Sequence, residues 1–202
     1  MADDARRHSP AAERNGPPIL SALQRLLPAR GLLLEIASGS GQHAALFGAG
    51  LPGWQWQPSD FNADMLPSIA AWCEGLENVR PPLQLDVTAA AWPGVPEQVD
   101  AIYCANMIHA SPWATTPGLM QGAARHLAPE GLLVTYGPYL FDDEPTAPSN
   151  LDFDADLRGR GLGWGLRHFN DVAEQAARAG LRLLERLDMP ANNKLLVWAR
   201  SA

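Results

Sequence analysis

Apolar residues fall along this chain in two rhythms. Ile19, Leu20, Leu23, Leu26 and Leu27 recur at the spacing of a helix face, which predicts a helix from Pro17 that Pro28 and Gly31 end. Residues 32–37 form an apolar run broken only by Glu35, the pattern of a strand buried on both faces of a parallel sheet. Residues 42–50 read as a helix, residues 54–60 as a strand in which Trp54 and Trp56 alternate with Gln55 and Gln57, and residues 62–75 as a helix capped by Asn62. Strands follow at 83–87 and 99–105, then a helix at 115–128 closed by Pro129 and Gly131, and a strand at 132–136. Residues 137–165 are rich in Asp, Pro and Gly and predict a long loop, of the kind that is functional or mobile inside compact domains. A helix at 170–179, capped by Asn170 and ended by Gly180, precedes two last strands at 181–187 and 195–199.

Alternating strands and helices imply a parallel sheet with helices on both faces. Only the short segment 189–193 joins the last two strands, so they must pair antiparallel. The expected fold is therefore α/β: a Rossmann-like, seven-stranded, mostly parallel sheet ending in a C-terminal antiparallel hairpin. With 202 residues, 47% of them hydrophobic and 18% charged, the chain is expected to form one globular domain over residues 1–202, with residues 1–8 disordered.

Charge and cysteine content narrow the partners. The net charge is −7, Lys194 is the sole lysine and the arginines are scattered, which argues against nucleic acid and against anionic membrane surfaces. No apolar run approaches the roughly 20 residues of a membrane helix. The polar N-terminus lacks the apolar centre of a secretory signal. Cys73 and Cys104 make no disulfide framework, and a reducing cytoplasm is the expected compartment. No Cys/His group has metal-ligand spacing, and His8, His43, His126 and His168 form no ligand set with His109, so no metal is expected.

The segment with most chemical content is Glu35-Ile36-Ala37-Ser38-Gly39-Ser40-Gly41, between the first strand and its helix. Glycines there let the backbone turn tightly and approach a ligand. Nicotinamide dinucleotides and S-adenosylmethionine (SAM) are both held by such turns. The dinucleotide pyrophosphate prefers a third glycine where this chain has Ala44. SAM instead carries a sulfonium and an amino group, and Glu35 is an acid placed to sit near them. Asp60, ending the second strand, is positioned to accept ribose hydroxyls, and Asp86 either receives the adenine amino group or caps a turn. Three acids at three successive strand ends say more than any one, because ligands of open α/β sheets bind outside those ends.

A set of segments spread over nearly the whole chain carries a resemblance. They are residues 9–15, residues 35–43, Asn106-Met107-Ile108-His109-Ala110-Ser111-Pro112-Trp113, Tyr136-Gly137-Pro138-Tyr139, Ser149-Asn150 with Phe153-Asp154, Trp164-Gly165 with Arg167, and residues 189–193. Together they resemble the domain of unknown function 938 family, which looks like SAM-dependent class I methyltransferases. The resemblance implies that fold, and SAM with its product S-adenosylhomocysteine (SAH) as cofactor. It implies SAM contacts from Glu35, Ala37, Gly39, Gly41 and His43, from Asp60 with Phe61, from Asp86 with Val87, and from Asn106 with Met107. Arg14 and Asn15 are implied to be cofactor-binding as well, as part of an N-terminal lid. No acceptor follows from the resemblance beyond a small molecule, and nothing in it speaks to oligomeric state.

For the acceptor side, His109 is the candidate base, its ordinary pKa lying near working pH; a loop-orienting histidine is the other reading. Tyr139 is a second catalytic candidate and Tyr136 an acceptor contact, or both pack as ordinary aromatics. Asn150, Asp154, Trp164 and Arg167 would close the pocket. Arg167 pairs either an acceptor carboxylate or a loop partner, and Asn192 either meets the acceptor or, with Asn193, satisfies the turn. Three functions are carried forward: a small-molecule methyltransferase, a SAM/SAH-binding module without catalysis, and an NAD-dependent oxidoreductase.

Overall fold

The structure, a computed structural model, describes residues 4–201. Its helices are α1 (Pro10–Leu26), α2 (Gln42–Gly50), α3 (Leu66–Trp72), α4 (Thr115–His126), α5 (Pro148–Gly159) and α6 (Phe169–Arg178). Its strands are β1 (Gly31–Ile36), β2 (Trp54–Asp60), β3 (Leu83–Gln84), β4 (Val99–Ala105), β5 (Leu127–Gly137), β6 (Leu181–Met189) and β7 (Asn193–Arg200). They form one seven-stranded sheet in the order β3-β2-β1-β4-β5-β7-β6. β1 to β5 pair in parallel, and β7 runs antiparallel to both β5 and β6. The order reverses between β1 and β4, the switch point where such sheets open a crevice.

Each central strand sends alternate residues to opposite cores, as its two-residue period requires. Leu34, Ile102, Leu133 and Trp198 pack with α4 and α6, whereas Leu33, Ala101, Val134 and Val197 pack with α1 and α2. Fully buried aliphatics such as Leu34 and Ile102 each contribute about 2 kcal/mol of transfer free energy. This double burial explains why β1, β4 and β5 read as unbroken apolar runs.

Several elements depart from the pattern. α1 begins at Pro10, seven residues before Pro17, with Ser9 as its N-cap accepting from the Ala12 amide at 3.3 Å. The stretch before Pro17 is polar because it faces a cleft rather than a core, and Pro17 and Pro18 lie inside the helix. Residues 1–3 of the segment expected to be disordered lie outside the described residues. Beyond them, Arg7 is tied down: its amide donates to Ser68 Oγ at 2.8 Å and its carbonyl accepts the Trp72 indole at 2.8 Å. The expected loop over 137–165 contains α5, whose inward face buries only Asn150 and Leu157 and so shows no apolar stripe. Ion pairs one turn apart join Asp154 to Arg158 and Asp156 to Arg160, and Asp154 also accepts the Leu166 amide at 2.7 Å. The third strand is two residues long, leaving Asp86 just beyond it in a turn, and α6 is preceded by His168 rather than Asn170 as its N-cap.

Candidate functional site

The turn after β1 is held open by its backbone. Ala37 and Gly39 have φ of 56° and 57°, and Gly41 has φ of 93°. The Gly39 amide donates to Asp60 Oδ2 at 2.9 Å, the Ser38 amide to the Ser59 carbonyl at 2.9 Å, and the Ser68 hydroxyl to the Ser40 carbonyl at 2.7 Å. The two glycines serve different ends. A Cβ on Gly39 would meet nothing closer than 4.0 Å and would project into open space, whereas a Cβ on Gly41 would lie 2.6 Å from Ile69 Cα. Gly39 thus leaves room for a ligand, and Gly41 lets α3 close against the turn.

Three neighbouring cavities run along the strand ends. The largest, about 660 Å³, has Ala37, Gly39, Asp60, Asp86, Val87 and Met107 on its walls, with Trp164 reaching in from the segment after α5. Asp60 and Asp86 are its charged lining residues, and no Lys or Arg lines it among the described residues. Phe61 stands on the rim, 68% exposed. Burial pushes the Asp60 carboxyl up from its ordinary value, opposed by the amides of Asn62 and Gly39. Asp86 Oδ1 accepts the Thr88 amide at 2.8 Å and the Thr88 hydroxyl at 2.7 Å. A smaller cavity of about 160 Å³ shares Ala37 and Gly39 with the first and is closed by Ser9, Asn15, His43 and Asn106. A third, of about 500 Å³, shares Ala11, Asn15 and Asn106 with the second and is bounded by Arg14, Tyr136, Asn150 and Phe153. Asn106, with φ of 60°, stands where the second and third cavities meet.

A buried polar chain links the sheet to the third cavity. Tyr103 OH lies 3.2 Å from His43 Nδ1, and His43 Nε2 lies 2.7 Å from Asn15 Oδ1. Burial holds the His43 pKa down, at about 4, so its ring is neutral, with Nε2–H donating to Asn15 and Nδ1 accepting from Tyr103. Burial pushes the Tyr136 hydroxyl above its ordinary pKa, an effect the neighbouring Asn15 side chain partly offsets. α1 can lie this near because Gly16 meets Leu46 of α2 where a side chain would clash, at 2.6 Å.

The structure gathers most of the expected residues but not all. Arg14, Asn15, Ala37, Gly39, His43, Asp60, Phe61, Asp86, Val87, Asn106, Met107, Tyr136, Asn150 and Trp164 all line one of the three cavities. Gly41 is a packing residue, as above. Glu35 does not line them. It is 2% exposed beneath the turn, accepts the Trp56 indole at 2.7 Å, and burial raises it to about 7. His109, the expected base, is fully buried with neither ring nitrogen partnered. Its Nε2 lies against Gly137, where an added Cβ would sit 1.9 Å away, and burial followed by the nearby Arg167 charge lowers it to about 3. It is turned away from the cleft because residues 106–110 double back after β4. Tyr139 stacks edge-on against His109 and spends its hydroxyl on Thr135 Oγ1 at 3.1 Å. Arg167 spends its guanidinium on the carbonyls of Ile108, Ser111 and Gly163, at 3.2, 2.8 and 2.8 Å, and so binds loop to loop rather than facing an acceptor. Asn192 lines an adjoining 90 Å³ pocket that shares Asn150 with the third cavity, and its carbonyl accepts from Asn150 Nδ2 at 3.1 Å. Met65, Leu85, Ala114 and Thr115 complete the largest cavity without having been anticipated, being plain wall residues that carry no chemical signal.

The family model described as "Protein of unknown function (DUF938)" matches residues 6–200. Among solved structures, human N-acetylserotonin methyltransferase in complex with SAM aligns with a TM-score of 0.78 at 15% identity, over 95% of this chain and 53% of that one. The pyocyanin biosynthetic protein PhzM aligns with a TM-score of 0.76 at 20% identity, over 94% and 56% respectively. An O-methyltransferase family 2 protein from Planctomyces limnophilus, in complex with apigenin, gives 0.76 at 17%, over 94% and 57%. The chain spans a little over half the length of these structures, and the likeness shows that its fold is that of class I methyltransferases.

Proposed function

This chain belongs to the DUF938 family, and from that footing we propose that it is a SAM-dependent methyltransferase acting on a small molecule. The observation that carries the reading is the joining of a Gly39 turn and the Asp60 and Asp86 carboxylates on one cavity of about 660 Å³, with the 160 Å³ cavity at Asn106 lying between it and the third of about 500 Å³. The donor set fits SAM: carboxylates for ribose hydroxyls and the adenine amino group, an apolar slot at Leu85, Val87 and Met107 for the purine, and no cation against the sulfonium. When bound, SAM supplies an electrophilic methyl group, which leaves its sulfur as the acceptor's lone pair forms the new bond.

The chain's own part is positioning. Gly39 lets backbone approach the nucleoside, Asp60 holds the ribose side while bracing the turn, and Phe61 and Trp164 cover the cavity. Asn106 stands between cofactor and acceptor. Tyr136, beside Asn15, is the polar contact for the acceptor. Residues 6–200 act as one domain in this reading.

The dinucleotide reading loses ground because the third glycine, which lets helix and strand pack closely under a pyrophosphate, is replaced by the buried Ala44 of α2. The burial of His109 and Tyr139 away from the cleft favours, as a second reading, a SAM/SAH-binding module without turnover. Calorimetric titration with SAM, SAH and NADH, followed by a labelled-methyl screen on cell extract, tests all three. Heat with SAM and SAH plus label transfer is expected. Binding without transfer selects the module, and absence of heat with both SAM and SAH ends the methyl-transfer reading.

A further inference from the structure

The third cavity has a distinct electrostatic character. Arg14 is its one formally charged lining residue, and among the described residues it takes part in no ion pair. This contrasts with a chain of net charge −7 and with the neighbouring cavity, whose charges are carboxylates. Two helices also open onto it. Ala11 and Arg14 belong to the start of α1, and Ser149 and Asn150 to the first turn of α5. The α5 N-terminus has no side-chain cap, since Ala147 occupies that position. The α1 start is capped by Ser9 and the Asn150 amide of α5 bonds the Ala147 carbonyl, so the positive charge on this cavity is that of the Arg14 guanidinium.

The remaining walls set the rest of the ligand. Pro138, Phe153 and Pro190 are apolar, and Tyr136 is 3% exposed. Tyr136 lines the cavity, and a phenol there can donate or accept. One guanidinium balances one negative charge, which suits a monoanionic carboxylate better than a phosphate dianion.

We propose that the acceptor is a small monocarboxylate with an apolar body, its carboxylate on Arg14 and the atom to be methylated on the Asn106 side. This rests on the methyltransferase reading and names the substrate class for the same cleft. Arg14 sets acceptor charge; it is not placed at the cofactor end.

The test uses the full chain and a panel of arylacetates and arylpropionates, each paired with its neutral primary amide, titrated calorimetrically with and without saturating SAH. Carboxylates are expected to bind at least about tenfold more tightly than their amides, the scale of one charge-assisted bond. That preference should vanish in Arg14→Ala, fall below one in Arg14→Glu, and persist in part in Arg14→Lys. Equal binding of acids and amides, a preference that survives Arg14→Ala, or no carboxylate binding at millimolar concentration overturns the proposal. SAH binding is read separately on the same wild-type sample. Its failure would sink the methyltransferase reading, while the anion preference would still be decided by the titrations without SAH.

Discussion

Gly39 N and Asp60 Oδ2 lie 2.9 Å apart, so a carboxylate on the largest cavity is also the brace of the turn that forms it. Asp60 Oδ1 takes the Asn62 amide at 2.9 Å as well, which fixes the carboxylate plane. Asp60→Ala removes both bonds at once. SAH affinity is expected to fall by about tenfold to a hundredfold, together with a stability loss of about 1–2 kcal/mol. Asp60→Asn, which keeps one acceptor, should recover stability more than affinity. Calorimetry and urea unfolding separate the two effects; unchanged SAH affinity in the alanine variant would remove Asp60 from the cofactor site.

The two glycines of the turn should respond in opposite ways to the same change. At Gly39 a methyl points into free space, so Gly39→Ala pays mainly for positive φ, about 1–2 kcal/mol, yet narrows the approach of a ligand. At Gly41 the methyl meets Ile69 backbone at 2.6 Å in addition to the unfavourable φ, and a loss of about 2–4 kcal/mol is expected. The ratio of affinity loss to stability loss should therefore be larger for Gly39→Ala. Finding the reverse order would mean that the cavity does not open at Gly39.

What could be read from the chain, and what could not, follows from where each element points. β1, β4 and β5 were legible because both faces are buried, and the strand-end position of Asp60 followed from β2, whereas Asp86 falls in the turn beyond a two-residue β3. The first half of α1 and all of α5 were not, because their inward residues, Arg14, Asn15, Ser149 and Asn150, line a cleft and break the apolar period. Position along the chain also does not tell facing. His109 follows the right strand but is packed under Gly137, and Arg167 is close to the cleft but anchors three carbonyls. Neither fact has any sequence signature, since both depend on how residues 106–113 curl after β4.

That placement makes His109 a sharp discriminator. A neutral imidazole with two unpartnered nitrogens gains little from being polar, so His109→Met is expected to leave stability within about 1 kcal/mol of the parent or above it. Removal of a working general base would cost about a hundredfold or more in rate. Methyl transfer, once an acceptor is identified, is expected to survive His109→Met with at most a few-fold change in kcat. A collapse of kcat with stability intact would restore His109 to catalysis.

Glu35 should write its burial into the pH dependence of stability. Its carboxyl is raised from 4.5 to about 7, chiefly by burial and against the hydrogen bonds from Trp56 and Ser38. Between those values the native state keeps a proton that the unfolded chain has released, so stability falls as pH rises from about 4.5 to about 7 and is level beyond. His43 and His109 act in the opposite sense. Both are lowered from 6.5, to about 4 and about 3, so the unfolded chain takes up protons first and stability rises with pH until about 6.5. The parent protein therefore shows partly cancelling slopes between about pH 4.5 and 6.5. Glu35→Gln keeps an oxygen for the Trp56 indole and removes only the falling component. Its advantage over the parent should be near zero below pH 4.5 and grow to the order of 3 kcal/mol above pH 7. Urea unfolding of both proteins at pH 4, 5.5 and 8 measures that difference directly. A constant offset across the three would mean that Glu35 is already ionised in the folded state, and that the space beneath the turn is wetter than its 2% exposure implies.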